Sequence, residues 1–143
     1  MPIVNFHLVE GQFSAAQHEQ LLVESSRLFA EVLRCPIDRV RAFIHLHRPE
    51  LVAVGGVPVS RDTKRAPYFS FIVLVGRPLE DRQRLLRGFT DLLVDILQVP
   101  RELVRGGVVP VHPEDWAIGG EPASSKRDGE IRAREAAAQA TAR

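Results

Sequence analysis

Hydrophobic positions near the start of the chain follow two different periods. Residues 3–9 alternate between apolar and polar side chains, which predicts a half-buried strand that ends at Gly11. Apolar residues then recur at helical spacing. Pro36 ends this helix, because the residue before a proline avoids the helical region. The helical stripe consists of Leu21, Leu22, Leu28, Phe29, Val32 and Leu33.

A second alternating segment follows this helix, and the whole pattern then recurs. The second unit has a strand over 68–75, a helix that begins near Pro78, and a strand over 103–111. Its helical stripe consists of Leu85, Phe89, Leu92, Leu93, Ile96 and Leu97. The second strand of the first unit places Val40, Ala42, Ile44 and Leu46 on one face, with Arg41, Phe43, His45 and His47 on the other.

The recurrence extends to single residues, which indicates an internal repeat. Pro2 coincides with Pro67 at an offset of 65, and Arg41 coincides with Arg105 at an offset of 64. The same offset of 64 superimposes Pro36 on Pro100, Pro49 on Pro113, Gly55-Gly56 on Gly119-Gly120, and Pro58 on Pro122. We therefore divide the chain into a first unit (2–58), a charged linker (59–66), a second unit (67–122) and a tail (123–143) that we expect to be disordered or weakly helical.

Strand, helix and strand in each unit predict an α+β fold. A helical crossover makes the two strands of a unit parallel. We expect the two β-α-β units to form one four-stranded sheet with both helices on one face. The other face is then uncovered and bears Phe43, Phe69 and Phe71 or their neighbours, so we expect other subunits to bury it.

Composition and charge exclude several classes of protein. The chain has 143 residues, of which 45% are hydrophobic and 26% charged, as in one globular domain. A net charge of +1 gives no field for nucleic acid or an anionic membrane. The single cysteine, Cys35, allows no intramolecular disulfide and no cysteine-based zinc site, and the pair His45 and His47, without an evident third ligand, is only weak evidence for a metal. With no apolar run long enough to span a membrane and no signal sequence, we expect a cytoplasmic protein.

Pro2 is the first candidate for chemistry. Initiator methionine is normally removed before a small residue such as proline, which would expose a secondary amine. An α-amino group has a pKa near ~8, which desolvation and nearby cations lower. A neutral proline nitrogen is a general base. Pro67 occupies the same place in the second unit but has no free amine, so only one unit has this base.

Two segments resemble a known family. Residues 2–11 are similar to the amino-terminal segment of 4-oxalocrotonate tautomerase, and Arg105 with residues 116–124 is similar to its carboxy-terminal half. The chain thus resembles a double-length, fused member of the tautomerase superfamily, with the fold of macrophage migration inhibitory factor, over about 2–126. Asp38-Arg39, His47-Arg48-Pro49, Arg77-Pro78 and Asp115-Trp116 also resemble malonate semialdehyde decarboxylase.

The resemblance implies roles for single residues. Pro2 matches the catalytic amine, and Arg77 matches an arginine that binds the substrate carboxylate. Gln12 occupies the place of Arg77 in the first unit. Arg41 and Arg105 match an arginine that polarises the 2-oxo or 2-hydroxy group.

Two further matches concern the pocket and the reaction. Trp116 matches a pocket aromatic residue, and Asp38 matches the decarboxylase's orienting aspartate. Leu79 stands where the decarboxylase has a second arginine, which argues against its full chemistry. Each residue also has a structural reading: Asp38 as a turn residue, Trp116 as packing, and the arginines as partners of carboxylates or solvent.

The resemblance implies an enzyme that needs neither cofactor nor metal. We expect a keto-enol tautomerase acting on a small 2-oxo or 2-hydroxydienoic carboxylic acid, with Pro2 as general base. The alternative is a decarboxylase or hydratase in which Pro2 is a general acid assisted by Asp38. A third possibility is a non-catalytic protein that kept the fold. Since short family members assemble from six units, we expect a homotrimer of the double-length chain.

Overall fold

The computed structural model describes residues 2–142, which form one four-stranded sheet, two small hairpins and five helices. The strands are β1 (Ile3–Val9), β2 (Arg41–His47), β3 (Ala53–Val54), β4 (Val57–Pro58), β5 (Tyr68–Leu74), β6 (Arg105–Val111), β7 (Ala117–Ile118) and β8 (Glu121–Pro122). The helices are α1 (Ala15–Leu33), α2 (Val59–Asp62), α3 (Leu79–Leu97), α4 (Ala123–Lys126) and α5 (Asp128–Ala142).

The sheet has the strand order β2-β1-β5-β6. Strands β1 and β2 are parallel, β5 and β6 are parallel, and the two units meet where β1 pairs antiparallel with β5. Helices α1 and α3 pack on each other and cover the same face of the sheet. The predicted α+β fold, with four strands and two helices on one face, is confirmed.

Aromatic side chains fill the space between the sheet and the helices. Phe6, Phe69 and Phe71 of the sheet are at most 1% exposed and surround Phe89 of α3, with ring centroids 5.3–5.9 Å from its ring. Phe29 of α1 packs against Phe89 at 5.3 Å in an edge-to-face arrangement. Phe69 and Phe71 therefore belong to the core. The prediction that they lie on the uncovered face is wrong for both residues, because the register of β5 turns them toward the helices.

The neighbours of these two residues do lie on the uncovered face. Tyr68 is 48% exposed there, beside Phe43 at 47% and Val109 at 45%. His7 and His45 lie on the same face, with stacked rings 4.7 Å apart. An apolar and aromatic surface of this kind is open in the single chain.

Both long helices end in the same way, which reflects the repeat. The residues after α1 and α3, Arg34 and Gln98, adopt left-handed backbone conformations with φ of 54° and 56°. Their N–H groups donate to carbonyl oxygens in the last turn, which satisfies orphan acceptors. At the other end of α1, Ser14 and Gln17 form a capping box.

The linker and the tail, which lie outside the two β-α-β units, also form helices. Four residues of the predicted linker form α2, whose Val59 is 2% exposed. The tail forms α4 and α5, and α5 buries none of its residues. Within residues 2–142, no helix combines the length and the apolar character that a membrane span needs.

Gly106 of β6 gives a test of this packing. A Cβ atom added to Gly106 would overlap the ring of Phe69, which lies enclosed by other aromatic rings, whereas one added to Gly107 meets nothing within 4 Å. We predict that Gly106→Ala lowers the free energy of unfolding by about 1–3 kcal/mol, the usual cost of overpacking. Urea denaturation at one protein concentration measures it. Gly107→Ala is the matched control, and equal losses for both variants would contradict the close approach of β6 to Phe69.

Candidate functional site

Five of the seven predicted site residues lie at one end of the sheet. The amino ends of β1 and β2 meet the carboxyl ends of β5 and β6 there, because Ile3 pairs with Ile72 and Leu74 pairs with Val111. We call this end the proline end. It holds Pro2, Asp38, Arg41, Arg77 and Trp116 at the ends of, or just beyond, these strands.

Gln12 and Arg105 lie at the opposite end of the sheet. Arg105 pairs with Tyr68, and its N–H donates to the carbonyl oxygen of Pro67 at 3.2 Å. The length of β5 separates this position from Pro2 by roughly 20 Å. One chain therefore does not bring Arg105 to its own Pro2.

Pro2 is buried at the start of β1. Its carbonyl oxygen accepts a hydrogen bond of 3.0 Å from the N–H of Arg41, which fixes the first residue of β1 against the first residue of β2. The Arg41 guanidinium donates to the carbonyl oxygen of Asp38 at 2.8 Å. Arg105 makes the equivalent bond to Glu102 at 2.7 Å. The two repeat-related arginines are thus held by backbone oxygens rather than by carboxylates.

Arg77 lies just beyond β5 and is half-buried. Its Nη1 donates to the carbonyl oxygen of Leu33 at the end of α1, at 3.1 Å. Burial lowers the pKa of Arg77, and the nearby charge of Arg134 lowers it further. Among the residues described, Arg77 forms no ion pair with a carboxylate, so its other donors remain available to an anion.

A cavity of about 700 Å³ opens beside Arg77. Its walls are the end of α1, the turn before β2, the start of α3 and one side of α5. Two ion pairs border it. In the first, Nη2 of Arg34 lies 3.3 Å from a carboxylate oxygen of Asp81. In the second, Arg39 donates two hydrogen bonds, of 3.0 and 3.1 Å, to the two carboxylate oxygens of Glu130 in α5. The hydrogen bond from Arg39 lowers the pKa of Glu130 and raises that of Arg39.

Cys35 also lines this cavity. Burial raises the pKa of its thiol, although Arg77 and Arg39 act in the opposite direction. A thiol with a raised pKa is a poor nucleophile at neutral pH. Cys35 therefore contributes surface to the cavity rather than chemistry.

Trp116 follows β6 at the proline end and is half-buried. Its carbonyl oxygen accepts a hydrogen bond of 2.8 Å from the N–H of Ala123. This bond ties the short hairpin of β7 and β8 to the start of α4. The position of Trp116 is therefore coupled to the segment that leads into α5.

The opposite end has its own, smaller cavity of about 350 Å³ beside Pro67. Gln12 lines it and donates to the carbonyl oxygen of Lys64 at 3.1 Å. His7 and His47 also line it and share a hydrogen bond of 2.8 Å. Burial lowers the pKa of His7, as do the charges of His45 and His47, so the neutral form of His7 is favoured.

The two ends of the sheet thus differ in their side chains. The proline end has the guanidinium groups of Arg41 and Arg77, whereas the Pro67 end has Arg105, the amide of Gln12 and the imidazoles of His7 and His47. In the part of the chain that the structure describes, no group of three or more His, Cys, Asp or Glu side chains is arranged to hold a metal ion.

Three residues of the proline end were not predicted as site residues: Arg39, Glu130 and Arg134. For Arg39, the only signal in the sequence was its position next to Asp38, in the segment that resembles malonate semialdehyde decarboxylase. Glu130 and Arg134 are four residues apart in the tail, a spacing that places them on one side of a helix. That spacing was the available signal, but the tail offers no apolar stripe to indicate that it docks.

Comparison with solved structures supports the fold. Pt0534 inactivated by 2-oxo-3-pentynoate superimposes with a TM-score of 0.80 and 22% identity, covering 87% of this chain and 98% of that one. The asymmetric trimer of F6 fused 4-OT gives a TM-score of 0.78 and 17% identity over 87% of this chain and 98% of that one. The chain has the fused tautomerase fold. Macrophage migration inhibitory factor from Toxoplasma gondii matches with a TM-score of 0.70 and 15% identity, covering 84% and 98% of the two chains.

The sequence alone gives no such match: no family model and no curated protein matches the chain. At identities of 15–22%, the shared feature is the path of the backbone. A function for this fused tautomerase fold must therefore be argued from its own side chains.

Proposed function

We propose that the chain is a cofactor-free keto-enol tautomerase acting on a small 2-oxo or 2-hydroxydienoic carboxylic acid. One observation supports this above all: Pro2, which is buried, and Arg77, which pairs with no carboxylate among the residues described, lie at the same end of the sheet. The pseudo-symmetric end has Pro67 and Gln12 instead, which offer neither a free amine nor a cation. The chemistry belongs to one end.

The first step is substrate binding. Arg77 holds the substrate carboxylate, since a guanidinium presents a fork of N–H donors that matches a carboxylate. Trp116 limits access of water from the side of β6. Arg41 stands at the start of β2, next to Pro2, and meets the oxygen that gains negative charge in the enolate. Arg105 can contact a substrate at the proline end only if it comes from a neighbouring subunit, because within one chain it lies at the opposite end of the sheet.

The second step is proton transfer. After loss of Met1, the neutral nitrogen of Pro2 takes a proton from one atom of the substrate and returns it to another, so atoms and charge balance without a co-reactant. Burial of Pro2 favours the neutral amine. Inactivation of Pt0534 by a 2-oxo acid agrees with a substrate of this class.

The second candidate is a decarboxylase or hydratase. Asp38 favours it, because this carboxylate lies at the proline end in the turn before β2. In that reaction Pro2 is cationic and acts as an acid. The pH profile of kcat distinguishes the two: a base requires activity that rises with pH through the proline pKa, and an acid requires the reverse.

Loss of the proline amine tests the proposal directly. We predict that the intact mass of the purified protein lacks Met1 and that Pro2→Ala, which replaces the ring-held secondary amine with a freely rotating primary amine, lowers kcat strongly without changing the fold. Activity is measured with phenylenolpyruvate, 2-hydroxymuconate and malonate semialdehyde, and the fold by circular dichroism. Retention of Met1 would exclude the amine of Pro2 as the base, and full activity of Pro2→Ala would show that the reaction does not need the secondary amine of proline.

Arg77 and Gln12 form a matched pair for the division between the two ends. We predict that Arg77→Ala lowers kcat/KM by the equivalent of about 2–5 kcal/mol, the usual cost of leaving a buried charge without its partner. Gln12→Ala should have little effect. Thermal denaturation checks that loss of the bond to Leu33 has not unfolded the protein. Similar kinetic losses for both variants would refute the division.

The uncovered face of the sheet supports a further part of the proposal, a homotrimer. The F6 fused 4-OT structure is a trimer, and closed threefold symmetry would bury three faces bearing Phe43, Tyr68 and Val109. We predict that light scattering at micromolar concentration gives three times the 16.0 kDa chain mass. Phe43→Asp should weaken assembly. A stable, active monomer would contradict both the burial of this face and any use of Arg105 from a neighbouring subunit.

A further inference from the structure

Helix α5 forms one wall of the cavity beside Arg77. The α5 residues that line the cavity recur every three or four positions, so they lie on one side of the helix. Two of them, Glu130 and Arg134, are charged, and the others are small. They are Glu130, Ala133, Arg134, Ala137, Ala138 and Thr141.

The contacts of α5 are unusual for a docked helix. None of its residues is buried, so hydrophobic packing in the core does not hold it. A helix of 15 residues is marginal in water by itself. The paired hydrogen bonds between Arg39 and Glu130 instead attach α5 to the turn before β2. The helix is therefore fixed to the rim of the cavity, close to the residues of the proline end.

The charges in the cavity do not cancel. Four guanidinium groups line it, together with the carboxylates of Asp81 and Glu130. Arg34 pairs with Asp81, and Arg39 pairs with Glu130. Among the residues described, Arg77 and Arg134 form no ion pair. These two remaining cations are close enough for the charge of Arg134 to lower the pKa of Arg77.

Arg77 and Arg134 line the same cavity and repel each other, and the Glu130 carboxylate offsets only part of this repulsion because it is paired with Arg39. A carboxylate placed between them removes this repulsion and accepts hydrogen bonds from both. The remainder of the cavity favours an apolar group, since Leu33, Pro36, Pro78 and the alanines of α5 line it. A second carboxylate in the ligand would instead meet Asp81 or Glu130, whose cationic partners are already engaged.

We propose that Arg134 of α5 is a substrate-binding residue that holds the substrate carboxylate together with Arg77, and that the substrate is a 2-oxo acid with one carboxylate and an apolar body. This inference rests on the proposed function for the reaction itself, but it concerns binding. Helix α5 is then a part of the site that the repeated units do not supply.

Binding is measured first, independently of turnover. Phenylpyruvate, with one carboxylate and an aromatic body, is titrated into the full chain, with the fluorescence of the single Trp116 and calorimetry as readouts. 2-Oxoglutarate, which has two carboxylates, is the comparison ligand. We expect phenylpyruvate to bind at least about tenfold more tightly. Equal affinity, tighter binding of 2-oxoglutarate, or no binding of phenylpyruvate would overturn the proposed substrate class.

Arg134→Ala then tests the residue. We expect it to raise the Kd for phenylpyruvate and the KM for phenylenolpyruvate by about 10- to 100-fold, as for loss of a hydrogen bond between charged groups, with kcat changed less than about threefold. Alanine is the best helix former, so α5 should stay helical, which circular dichroism checks. Arg134→Lys should recover part of the affinity because it keeps the charge.

Arg132 is the matched control on the same helix. It is exposed, pairs with Asp128 at 3.1 Å and does not line the cavity, so Arg132→Ala should bind phenylpyruvate like the unchanged protein. An equal rise in Kd for Arg132→Ala and Arg134→Ala would show that the effect comes from net charge alone, and it would refute the proposal. An unchanged Kd for Arg134→Ala would also refute it. If phenylpyruvate binds as expected but no 2-oxo acid is turned over, the proposed function fails while the binding role of Arg134 stands.

Discussion

The antiparallel pairing of β1 with β5 is the constraint on which the rest of the structure depends. It joins the two units in opposite directions, so that the start of each unit lies next to the end of the other unit's first strand. Pro2 is thereby placed near the segment that follows β5, which includes Arg77. By the same pairing, Pro67 is placed near the segment that follows β1, which includes Gln12. Each end of the sheet thus combines residues from both units, and a substitution at one end of a strand alters that end alone.

The two units share the same backbone conformations at their helix ends and turns, although their side chains differ. The left-handed helix ends at Arg34 and Gln98 and the bonds of Arg41 and Arg105 to the preceding turn occur in both. The Gly-Gly turns of the two hairpins, with φ between 59° and 87°, are also repeated. These features fix the same path of the chain in both units. The cavities they create differ in charge, because their linings are set by side chains that the backbone does not constrain.

Most of the fold was predictable from the sequence, because strand alternation, helical stripes and the repeat all point to the same arrangement. The positions of Phe69 and Phe71 were not, since a strand of apolar residues on both sides does not reveal which side faces the helices. For the site, the grouping of Pro2 with Arg77 was expected from the resemblance alone. The separation of Arg105 from Pro2 within one chain required the register of β5 and β6. Glu130 and Arg134 were missed because α5 docks through polar contacts, which leave no hydrophobic pattern.

The place of the tail follows from the same topology. The second unit ends with β6, whose carboxyl end lies at the proline end of the sheet, since Val111 pairs with Leu74. Any extension of the chain beyond the second hairpin therefore starts at the proline end and reaches the cavity beside Arg77 over a short path. The first unit ends at the opposite end of the sheet. The chain that follows it there is the linker that connects to β5, so it cannot form an additional terminal helix. A single added helix can thus modify only one of the two cavities, and the topology selects the one that Arg77 lines at the proline end of the sheet.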